Sequence, residues 1–74
     1  MYIYRKDRAI FNTEQISEIS VYKKTNTEWR LCAISGGEEC RIASYYNEEA
    51  AEIVLNSIMQ AIKDNVQVLD LDSL

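Results

Sequence analysis

Two thiols, a run of carboxylates, and two arginines set among tyrosines are the side chains in this chain with chemistry to offer. Cys32 and Cys40 flank the diglycine Gly36-Gly37. If the glycines make a two-residue hairpin turn, the thiols project from opposite faces, Cys32 outward and Cys40 inward. A bridge between them would then require the backbone to rearrange. Cys40 reads as a small core residue, since free cysteine is among the most buried residue types. Cys32 reads as an outer-face thiol beside Arg41. The chain has no histidine to serve as its base, so a cysteine–histidine nucleophile is excluded. Two cysteines and no histidine also exclude a zinc site of ordinary composition within one chain.

Glu48, Glu49 and Glu52 form a carboxylate cluster at helical spacing. Acid–base work by paired carboxylates needs a pocket that drives their pKa values apart. These three fall on the polar arc of an amphipathic helix, which reads as a solvated face. Ser35-Gly36-Gly37-Glu38 is glycine-rich, but it lacks the lysine and spacing of a phosphate loop and joins two strands. The remaining candidates are Tyr22, Arg30, Ile34, Arg41 and Tyr45, expected together on the sheet face away from the helix. Arginine between tyrosines can stack on a planar ligand or grip a carboxylate or phosphate. The plainer reading of the same set is cross-strand pairing on a wet face.

The elements that must position these residues begin with the helix. Tyr46 to Asn65 carries Ala51, Val54, Leu55, Ile58, Ala61 and Ile62 as a stripe at helical spacing. Asn47 suits the N-cap, Glu48 and Glu49 suit the positive end of the dipole, and Lys63 suits the negative end. Before it, Trp29–Tyr45 reads as a hairpin about Gly36-Gly37, whose central residues need positive φ. This spacing pairs Ser35 with Glu38, Ala33 with Cys40, Leu31 with Ile42 and Trp29 with Ser44. It gathers Trp29, Leu31, Ala33, Cys40 and Ile42 on the inner face, with Arg30, Cys32, Ile34, Arg41, Ala43 and Tyr45 on the outer one. Glu18–Lys24 alternates as a strand with Ile19 and Val21 inward, and Thr25-Asn26-Thr27 is a turn. Met1–Asn12 reads as a hairpin around the charged Arg5-Lys6-Asp7-Arg8. A two-residue turn at Lys6-Asp7 would face Ile3 to Ile10, and a longer turn would shift that pairing by one residue. Asn12-Thr13-Glu14-Gln15 is a polar corner of one helical turn capped by Asn12, after which Ile16 plugs the core. In residues 66–74, Val66 and Val68 continue the packing, while Asp70–Leu74 is a frayed tail or a segment that orders against a partner.

The expectation is α+β: an antiparallel β-meander of four or five strands over residues 1–45, one C-terminal helix over 47–65 packed across one face, and a tail over 66–74. Seventy-four residues make a single domain. A chain this short buries only about 60% of the surface its unfolded form exposes, so a partner subunit, most simply in a homodimer, is expected to support it. The net charge of −4, from 12 acidic and 8 basic residues, disfavours nucleic acid. Without a leader-like or membrane-length apolar run, the reading is a soluble, cytoplasmic protein.

The stretches AIFNTEQISEISV and SYYNEEAAEIVLNSIMQAIKDNVQV, on either side of the glycine hairpin, resemble small uncharacterised proteins of bacteria and their phages. The order of a meander followed by a helix is also similar to a truncated pleckstrin-homology-like unit. The resemblance implies a fold and a bacterial or phage setting, and it carries over no active site. The functional expectation is a non-enzymatic protein-interaction module, such as an inhibitor or accessory factor acting on a host protein, with no cofactor and no metal. The second reading is a binder of a small anionic ligand, such as a nucleotide, through the outer face.

Overall fold

The computed structural model describes residues 1–5 and 9–74, with Ala9 placed by its backbone alone. The two-residue turn considered at Lys6-Asp7 lies outside the described residues. Around it, β1 (Tyr2–Arg5) and β2 (Ala9–Asn12) pair antiparallel with Ile3 opposite Phe11, the register of the longer turn. Asn12 then caps a 3₁₀ turn, Thr13–Gln15, its side chain accepting from the Glu14 amide at 3.1 Å.

β3 (Glu18–Thr25), β4 (Glu28–Ser35) and β5 (Glu38–Tyr45) form an antiparallel meander, and α1 (Glu48–Lys63) packs across it. The architecture is α+β with one helix, as its periodicities imply. The first hairpin stands apart from the meander, however. It makes a second sheet in the order β2-β1-β6, where β6 is Val68–Asp70 and lies parallel to β1.

That strand corrects the reading of the tail. Leu69 sits opposite Ile3, and Leu71, within a closing 3₁₀ turn at Leu71–Ser73, joins the core. Val66 and Val68 are the exposed ones, at 37% and 59%. Asp70 caps this turn as Asn12 caps the first, with the same backbone angles of φ −91° and ψ 112°.

Both ends of α1 close as local chemistry dictates. The Asn47 side chain accepts from the Ala50 amide at 2.8 Å. At the other end Asn65 takes φ 56°, and the Val66 amide reaches back to the Ala61 carbonyl at 3.0 Å. With the Asn65 amide on the Ile62 carbonyl, this is a Schellman stop with asparagine in the left-handed position. Ala51, Val54, Ile58 and Ala61 are buried, Leu55 is half-buried, and Ile62 is 49% exposed. The core between helix and sheets centres on Ile3, Leu31, Ile42 and Ile58.

The glycine hairpin forms as its chemistry requires, with Gly36 and Gly37 at φ 59° and 82°. Ser35–Glu38 and Ala33–Cys40 pair as expected, and then a β-bulge intervenes. Cys32 faces Arg41, but Leu31 faces Ala43, so Ile42 is the extra residue. Ile42 is fully buried, while Ala43 and Tyr45 also pack against the core.

Candidate functional site

The bulge decides which side chains share the outer face. Alternation along β3 and β4 puts Tyr22, Arg30, Cys32 and Ile34 there. On β5 the face is made by Glu39, Arg41 and Ser44, which sit opposite Ile34, Cys32 and Arg30. Tyr45 is expected on this face, but one extra residue turns it to the other side, opposite Trp29. There it packs against the core, and burial together with the nearby Asp72 carboxylate raises its phenol pKa.

The thiols exchange environments relative to expectation. Cys32 does project to the outer face, but it lies in the central strand and is only 2% exposed. Tyr22 and Glu39 meet near it, the tyrosine hydroxyl donating to Glu39 Oε1 at 2.9 Å. Burial pushes the Cys32 thiol above its ordinary pKa, with the Glu39 carboxylate adding to the rise and the Tyr22 hydroxyl opposing it. A thiol held protonated is a poor nucleophile. Cys40, expected in the core, is exposed; it lies on β5, where among the described residues no further strand pairs on the far side. Both cysteines are free.

The arginines are engaged by their neighbours. Arg30 Nε donates to Glu28 Oε2 at 2.9 Å, and the Ser44 hydroxyl donates to the same oxygen at 2.8 Å. Ser44 in turn accepts from Arg41 Nη1 at 3.3 Å. The Arg30 guanidinium and then the Ser44 hydroxyl hold Glu28 below the usual carboxylate range. Glu28, Glu39 and Ser44 were not singled out from sequence. The signal that would have found Glu28 is its place two residues before Arg30 on the same face of a strand. Together these residues form a polar network across three strands, with acid interleaved among the base. An incoming anion would have to displace Glu28 from Arg30. Glu48, Glu49 and Glu52 stand exposed along α1.

A second surface has a different character. A groove of about 590 Å³ runs between the start of β3 and one shoulder of α1. Ile16, Ile19, Leu55, Met59 and Ile62 line it, with Glu18 and Lys63 at its margins. Met59 and Ile62 are each about half exposed, at 48% and 49%. The groove follows from α1 itself. Leu55, Met59 and Ile62 recur at intervals of four and three, a second apolar row beside the buried one. The corner at Thr13–Gln15 then brings Ile16 up to its edge.

Searches of protein-family models, curated proteins and solved structures each found no match to this chain. Among the described residues no helix is long and apolar enough to cross a membrane.

Proposed function

We propose that this protein is a non-enzymatic interaction module that works by binding another protein through the groove between β3 and α1. One observation carries the reading: Met59 and Ile62 remain half exposed beside Ile16, Ile19 and Leu55 in a single apolar groove. Contiguous exposed apolar surface on a small domain marks interaction sites. In the bacterial or phage setting that the resemblance implies, the module acts as an inhibitor or accessory factor on a host protein. The second reading, a small anionic ligand on the outer face, is weakened by the pairing of Arg30 with Glu28.

Affinity capture from bacterial lysate with wild type, Met59→Glu and Arg41→Glu tests this, alongside a thermal-shift screen against nucleotides. The proposal expects a protein retained by wild type and by Arg41→Glu and lost from Met59→Glu, with no nucleotide shift. A nucleotide shift abolished by Arg41→Glu would transfer the function to the outer face.

A further inference from the structure

The groove opens along a strand edge. None of its lining residues comes from β4 or β5, so it lies on the far side of β3, between that strand and the shoulder of α1. β3 pairs with β4 on one side, and among the described residues no strand pairs with the other. The edge of an eight-residue strand presents main-chain amides and carbonyls that a further strand can pair with. The opposite edge of the sheet is engaged differently. There β5 is bulged, and the Arg5 guanidinium donates to the carbonyls of Arg41 and Ile42. β3 runs in unbroken register with β4 from Glu18 to Lys23, and its irregularity comes only after Lys23.

An open edge and an apolar groove on one surface restrict what can fill it. A helix laid in the groove would cover Met59 and Ile62 but leave the main-chain edge of β3 to water. A strand added to β3 serves both. Its backbone would lie about 4.8 Å beyond the edge, and every second side chain would point to the face that carries α1. On β3 that face holds Ile19, Val21 and Lys23. Ile19 and Val21 are half-buried and pack against the core, whereas Lys23 is exposed. Ser20 and Tyr22 lie on the opposite, polar face, with the Tyr22 hydroxyl held by Glu39.

We propose that β3 takes up an extended segment of a foreign protein as an added strand. Its apolar side chains stand opposite Ile19 and Val21, an acidic one opposite Lys23, and polar ones between them. The side chain opposite Ile19 enters the groove against Met59 and Ile62. In such an arrangement main-chain hydrogen bonds supply affinity and the alternate side chains supply specificity. The inference rests on the reading of the groove as a protein-binding surface and gives the chemistry of its partner.

Selection of random displayed peptides of about ten residues on immobilised wild type tests it. Enriched peptides are expected to carry apolar residues at alternate positions, with an aspartate or glutamate two positions beyond them. One such peptide, resynthesised with a single N-methyl group at each position in turn, gives the sharpest readout. Amides alternate in direction along a strand, so every second methylation is expected to raise Kd about tenfold and those between to leave it nearly unchanged. Met59→Glu is expected to raise Kd about tenfold and Lys23→Glu about threefold, with circular dichroism confirming that both variants are folded. Peptide binding should also slow hydrogen exchange of amides in β3. No enriched peptide, or binding without the alternating methylation pattern, overturns the proposal. So does a wild type that dimerises in sedimentation through Met59, which would give the groove to a second copy. The groove reading is judged separately: a lysate protein lost from Met59→Glu keeps that reading even where the enriched peptides show helical spacing.

Discussion

The Arg5 guanidinium donates to the main-chain carbonyl of Ile42, joining β1 of one sheet to the bulge in β5 of the other. It also reaches the Arg41 carbonyl at 3.4 Å and lies 5.7 Å from the centre of the Phe11 ring. One side chain thus ties the bulge to the first hairpin and seats Ile42 in the core. Arg5→Met keeps the aliphatic stem and removes the donors. It is expected to cost about 1.5–3 kcal/mol in a urea melt, the range for hydrogen bonds involving a charged group. A loss near zero would show that the bulge holds without it.

Leu31 and Ile58 meet the core from the sheet and helix sides, and each is at most 1% exposed. Leu31→Ala and Ile58→Ala are each expected to destabilise by about 2–5 kcal/mol. A domain of this size has a total stability of only about 5–15 kcal/mol. Unfolding free energies from denaturant melts that fall by less than about 1 kcal/mol would place the residue outside the core.

The C-terminal segment contributes to the fold. Leu71→Ala is expected to cost about 2 kcal/mol or more. A chain ending at Val68 loses most of β6 along with Leu71, and it is expected to lose cooperative melting. A truncated chain with an unchanged melting curve would mean that residues 69–74 do not hold β1.

Much of this arrangement was legible in the residues. Asn47, the apolar stripe of α1 and Gly36-Gly37 each act through neighbours within a few positions, so local chemistry decides them. The bulge at Ile42 was not legible, because the alternation of Cys40, Ile42 and Ser44 continues a regular strand just as well. Only the core's demand for both Ile42 and Ala43 reveals the extra residue, and it moves Tyr45 off the candidate face. β6 was missed because its partner is β1, more than sixty positions away in the chain. A signal did exist: Leu69 and Leu71 alternate with Asp70 and Asp72, and Asp70 can cap as Asn12 does.

The two thiols are expected to react at different rates. Cys40 is exposed and should be modified promptly by an aromatic disulfide reagent at pH 8, whereas Cys32 should wait for unfolding. Burial raises the Cys32 pKa in the fold, so the folded state favours the protonated thiol. Its contribution to stability is therefore complete below the unfolded thiol value. It falls away as pH rises from there through the folded value. Stability measured upward from neutral pH should decline less in Cys32→Ala than in wild type. Two equally fast thiols in the native protein would contradict the burial of Cys32.

The central claim is that the groove beside β3 is where another protein binds. Its most direct test is a photo-crosslinking residue placed at Met59, compared with one placed at Arg41 on the outer face. The groove reading predicts a protein adduct from position 59, either a second copy or a foreign chain identified by mass, and none from position 41. Adducts from position 41 with none from position 59 would contradict it.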